Sequence, residues 1–168
     1  MSTKPKVSLE TTIPRDFTAW RSRGLVMAAN QEITLEWWSR RKRDFEFFVS
    51  QVVIKEYGAG DPDAAKRRLE FLRPFPLLDI SDEVESLAAK RIVDVPLPPK
   101  AQADALHIAV AAVNEMNYLV TWNCTHTHTH IANATLRSKI EKVCRSQGYE
   151  PPVVCTPQEM LEEEDQDA

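Results

Sequence analysis

The chain has 168 residues, 43% of them hydrophobic and 27% charged, with a formal net charge of −4. That is the make-up of one ordinary globular domain with enough length for a core, and no apolar run reaches the roughly 20 residues of a membrane span. The first residues, MSTKPKVSLE, lack the apolar core of a secretory leader. Cys124, Cys144 and Cys155 show no CxxC spacing, so they read as reduced thiols of a cytoplasmic protein rather than as a zinc or disulfide framework.

The acids are unevenly placed. Glu162, Glu163, Glu164, Asp165 and Asp167 crowd the end of the chain with no base among them, so residues 162–168 read as an acidic, disordered tail behind a domain spanning 1–161. Without that tail the negative balance disappears, and basic clusters stand out at Arg21/Arg23, Arg40–Arg43 and Lys66–Arg68. Such clusters are more often solvated helix faces than phosphate contacts, but the charge no longer excludes a nucleic-acid partner.

In chain order, Val7–Glu10 reads as a first strand that presents Glu10 at its C-terminal end. Leu25 to Arg43 has helical apolar spacing and a charged end. Phe45–Val49 is aromatic and β-branched, a strand. Ser50 then looks like the N-cap of a short helix, Val52 to Tyr57, which holds Glu56. The GAGDPD stretch at 58–63 breaks that helix and caps the next, Ala64 to Leu72. Pro76–Ile80 reads as a short buried strand, and Ser81 caps a helix from Asp82 to about Val93. Pro96, Pro98 and Pro99 force a loop into the helix Ala101–Met116. Tyr118–Trp122 is a strand, Ile131–Gln147 a helix stopped by Gly148, and Pro152–Cys155 the last strand. Thr156 caps a final helical turn, Pro157–Leu161.

Strands and helices that alternate in this way specify an α/β domain with a mainly parallel central sheet and helices on both faces. Sites in such sheets form beyond the carboxyl ends of the strands. Glu10 ends the first strand, Glu56 follows the second, Asp104 opens an apolar helix, and Asn123 ends the strand after it. Oxygen donors of this kind suit Mg2+ or Mn2+. The four glycines form no phosphate-cradling loop, so a nucleotide cofactor is not expected.

The order Glu10, Glu56, Asp104, Asn123 on a chain of this length resembles the PIN-domain ribonucleases, and most nearly the VapC-type toxins of type II toxin–antitoxin pairs. The resemblance is carried by LETT (9–12), SQVVIKE (50–56), PPKAQADALHIAVAA (98–112), YLVTWN (118–123), HIAN (130–133) and GYEPPVVCTPQEM (148–160). DALHIA followed by TWN and HIAN is the specific part. The resemblance implies a PIN-like three-layer α/β/α fold over 1–161. It also implies a metal-dependent endoribonuclease that cleaves RNA with metal-activated water. Glu10, Glu56 and Asp104 would be the metal ligands, Asn123 would sit in the fourth position, and Thr12 would support Glu10 by hydrogen bonding. A cognate antitoxin with a basic group for the carboxylates, and a homodimer, are implied with it.

Three departures from the family pattern bear on activity. The first acid is Glu10 rather than Asp, and the fourth position holds the neutral Asn123, which costs the site one negative charge. Residues 125–130 read THTHTH where a single histidine is usual. Alternating histidines with no fourth ligand suit a lengthened loop better than a dedicated transition-metal site. The competing expectations are a catalytically weak scaffold that binds RNA or a protein without cutting, and a metal-dependent phosphatase or DNA nuclease. His107, one turn after Asp104, reads as a packed, hydrogen-bonded histidine, and Trp37, Trp38 and Trp122 as core or interface.

Overall fold

A computed structural model describes residues 3–92, 99–122 and 131–167. The elements are β1 (Lys6–Leu9), α1 (Thr12–Thr18), α2 (Leu25–Arg41), β2 (Glu46–Ser50), α3 (Gln51–Tyr57), α4 (Pro62–Leu72), β3 (Leu77–Leu78), α5 (Asp82–Ile92), α6 (Pro99–Val113), β4 (Tyr118–Val120), α7 (Ile131–Ser146), β5 (Val153–Cys155) and α8 (Pro157–Asp167). The strands form one sheet in the order β3-β2-β1-β4-β5, with every described pairing parallel. The expected α/β fold with a parallel central sheet is the observed one.

Strand alternation explains the three layers. Neighbouring residues on a strand face opposite sides of the sheet. Leu119 and Val154 enter a core with Val84 and Leu87 of α5, Ile108 and Val110 of α6, and Ile140 and Cys144 of α7. Val120 and Cys155, the next residues on the same strands, enter a second core with Val7, Leu9, Phe47, Trp37 of α2 and Met160 of α8. Both faces of the sheet are thus covered, as a parallel sheet requires.

Several ends carry the signals that fix them. Asp61 caps α4 by accepting the Ala64 N–H at 2.9 Å, and Ser81 caps α5 by accepting from Val84 at 3.3 Å. Thr156 and Glu159 form a reciprocal capping box at the start of α8. Gly148 takes φ of +85°, the left-handed residue that ends α7. Ser50 differs from expectation: its backbone is extended, but its side chain makes no capping bond.

Two helices differ more. Residues 12–18 form α1, a helix absent from the sequence reading, which passes from the strand Val7–Glu10 to the helix at Leu25. Pro14 sits in the first turn, where a missing N–H costs nothing. The acidic end, expected to be disordered, is helical to Asp167. The reason is long-range: Arg40 of α2 reaches Glu164 at 3.1 Å and Asp165 at 3.3 Å, and α2 packs along α8.

Candidate metal centre

β1 is the central strand, so the residue just beyond it stands at the middle of the sheet's carboxyl edge. That residue is Glu10, whose own N–H is tied to the Val120 carbonyl of β4 at 3.1 Å. The side chain is 5% exposed. One of its oxygens, Oε2, accepts three hydrogen bonds: from the Thr12 N–H at 2.9 Å, the Thr12 hydroxyl at 2.6 Å and the Thr121 hydroxyl at 2.7 Å. Thr12 therefore supports Glu10 as expected. Its hydroxyl also accepts from the Trp122 N–H at 2.9 Å, and the Trp122 indole donates to Thr34 of α2. This is the geometry of a fixed carboxylate: the strand end, α1 and the residues after β4 all hold it.

Glu56 comes from the last turn of α3. Its Oε1 lies 2.9 Å from Nε2 of His107, and its Oε2 accepts from the Thr11 hydroxyl. Tyr57, next in the chain, donates its hydroxyl to the Thr11 carbonyl. The loop between β1 and α1 is thus pinned to the end of α3 by two contacts.

His107 lies on α6, one turn after Asp104, and is buried. Glu10, Glu56 and His107 each offer one donor atom, and these three atoms lie within 4.8 Å of one another. No other group of three such residues gathers among the described residues. Two carboxylates and one imidazole are a donor set that can hold a metal ion.

Charge organises the cluster. Burial opposes a charged His107, but the Glu56 hydrogen bond and the carboxylates of Glu10, Glu56 and Asp104 outweigh it and hold its pKa above the ordinary 6.5. Glu56 is the converse. Burial acts to raise it, while the hydrogen bonds from His107 and Thr11 and the His107 charge bring it below 4.5. Burial also raises the Tyr57 hydroxyl far above its usual range, against the opposing charges of Arg68 and Arg15.

Of the four residues expected at the site, Glu10 and Glu56 come together. Asp104 is half-buried, one helical turn before His107, whose charge it helps to favour. It does not belong to the three whose donor atoms gather. Asn123 and the THTHTH stretch lie outside the described residues. His107 is the member that sequence reasoning placed in the packing instead; its spacing from Asp104 was the available signal.

The sequence matches no family model and no curated protein. The fold is similar to a chain of a solved complex, the crystal structure of VapBC2 from Rickettsia felis bound to a DNA fragment from their promoter. The TM-score is 0.50 at 15% identity, over 73% of this chain and 92% of that one. At that identity what is shared is the fold: an α/β domain with a central parallel sheet. No described helix is long and apolar enough to cross a membrane.

Proposed function

We propose that this protein is a Mg2+- or Mn2+-dependent endoribonuclease of the PIN type, acting as the toxin of a type II toxin–antitoxin pair. The observation that carries the reading is the convergence of Glu10, Glu56 and His107 at the carboxyl edge of the sheet, from β1, α3 and α6. Glu10, Glu56 and Asp104 are the proposed metal ligands, and Asn123 the fourth site residue. When bound, the metal supplies an acidified water and offsets charge on the scissile phosphate. The chain's own residues prepare that chemistry. Thr12 and Thr121 fix the Glu10 carboxylate, and His107 and Thr11 fix that of Glu56. The hydrogen bond and charge of His107 help to keep Glu56 ionised.

The similarity in fold to a chain of a VapBC complex supports a cognate antitoxin as partner. A basic group on that partner would meet the carboxylates. A homodimer working in the cytoplasm, with 1–161 as the PIN domain, completes the reading.

A second reading has one observation in its favour. Both oxygens of Glu56 are already engaged, by His107 and Thr11, which suits a catalytically weak scaffold that binds RNA or a protein without cutting. Incubating a mixed RNA pool with purified protein in Mn2+, Mg2+ or EDTA, beside Asp104→Asn, separates the two. Metal-dependent cutting that vanishes in the variant is expected. A folded, metal-loaded protein that leaves every RNA intact would defeat the nuclease reading.

A further inference from the structure

Two arginines stand beside Tyr57, which is joined to the cluster through Thr11. The Thr11 carbonyl accepts both the Tyr57 hydroxyl and the backbone N–H of Arg15, the latter at 3.4 Å, while the Thr11 hydroxyl donates to Glu56. Arg15 and Tyr57 therefore meet the cluster through a single residue. Arg68 of α4, a helix that packs on α1, lays its guanidinium over the Tyr57 ring, with Cζ 5.0 Å from the centroid. Both guanidinium charges act on the Tyr57 hydroxyl.

Neither arginine is neutralised by the cluster. Arg68 makes no ion pair with any described residue, and Arg15 uses only Nε, 3.2 Å from Oδ1 of its neighbour Asp16. A guanidinium carries five N–H donors in a planar fork matched to phosphate, so most of that capacity is open at both.

Asp16 adds an independent observation. Its side chain is 1% exposed, and its Oδ2 has no hydrogen-bond partner among the described residues. A buried carboxylate with an unsatisfied oxygen destabilises a fold. The one side-chain hydrogen bond it makes among the described residues is the one that holds Arg15.

We propose that Arg15 and Arg68 form a phosphate-binding rim beside Glu10, Glu56 and His107, which lays the backbone of a single-stranded RNA across the cluster, and that Asp16 is the positioning residue for Arg15. The proposal rests on the ribonuclease reading and adds how that substrate is held. Tyr57 serves as the common platform, tied to Glu56 on one side through Thr11 and stacked under Arg68 on the other.

The test is fluorescence anisotropy of a labelled single-stranded RNA oligomer with the full chain in Mn2+, on an Asp104→Asn background that stops cutting, across a salt series. Arg15→Ala and Arg68→Ala are each expected to weaken binding and to lower the slope of log affinity against log salt by about 0.7, the loss of one phosphate contact. Arg15→Lys and Arg68→Lys keep the slope. Asp16→Ala keeps the Arg15 charge and so the slope, but weakens binding several-fold because the guanidinium is no longer tied down. Arg145→Ala, an exposed arginine paired with Glu150, changes nothing. Alanine variants that remain folded by circular dichroism and bind with wild-type affinity and slope overturn the rim, even where metal-dependent cutting stands. Slope losses at Arg15 and Arg68 in a protein whose wild type never cuts uphold the rim and remove the nuclease instead.

Discussion

His107 and Glu56 titrate in opposite senses, which gives their pair a pH signature. His107 is held above its ordinary 6.5, so its stabilising contribution is complete below that value and fades as pH rises through the folded-state pKa. Glu56 is held below its ordinary 4.5, so its contribution is complete above that value and fades as pH falls through its folded-state pKa. The stability difference between wild type and His107→Gln should therefore peak between 4.5 and 6.5 and shrink on both sides. Denaturant titrations across the pH range read it, and a difference that stayed level into alkaline pH would contradict the pair. Thr12 offers a second check, because its hydroxyl serves Glu10 and the Trp122 N–H together. Thr12→Val removes one of the three bonds to Oε2 and the hydroxyl that accepts from the Trp122 N–H, a loss of about 1–3 kcal/mol that urea unfolding would record. At this scale the sequence was informative about where Glu10, Glu56 and Thr12 stand, since their positions follow from their place after a strand or beside an acid. It marked His107 as packed and hydrogen-bonded, which it is, but did not name Glu56 as its partner. The spacing from Asp104 puts His107 on the same face of α6, but that this face meets Glu56 depends on how α6 lies against α3.

Among elements, α2 shows how differently two tryptophans can matter. Trp37 is fully buried, edge-on to Phe47 with ring centroids 5.8 Å apart. Trp20, just ahead of the helix, is 85% exposed. Trp37→Ala should cost about 3–5 kcal/mol, while Trp20→Ala should leave the unfolding midpoint almost unchanged; equal effects would mean that the packing of α2 is misread. Trp37→Phe should cost less than Trp37→Ala, since the buried indole N–H has no partner to lose. Strand identities were legible because apolar and β-branched runs are short and bounded by turn residues. The misread elements are those decided from far away. α1 is held by Glu10 and Tyr57 despite Pro14 and two threonines, and α8 runs on to Asp167 because Arg40, more than a hundred residues earlier, receives its acids. The end of α6 had no readable signal either. Glu115 adopts a positive φ of 57°, a conformation that its residue type does not advertise.

For the whole molecule, the cluster ties the centre of the sheet to helices on its flank. A cation bound there stabilises the fold by mass action, about 2.7 kcal/mol at a hundred times its dissociation constant. Mn2+ should therefore raise the melting temperature of the wild type, and Glu10→Gln should abolish most of the rise without preventing folding. A rise equally large in Glu10→Gln would place the cation elsewhere. The global architecture was the most legible level of all, because a chain in which strands alternate with helices has few ways to cover both faces of a parallel sheet. The convergence of Glu10 and Glu56 at one edge followed from that topology.

The strand order also sets a timetable. β1, the first of the five described strands to be made, is the middle strand, and one of its two edges waits for β4, more than a hundred residues later. His107 arrives only with α6, immediately before that strand. A chain that stops before α6 lacks His107 and cannot assemble the cluster. Any chemistry at this edge is thus withheld, by the order of synthesis alone, from copies that end before that helix.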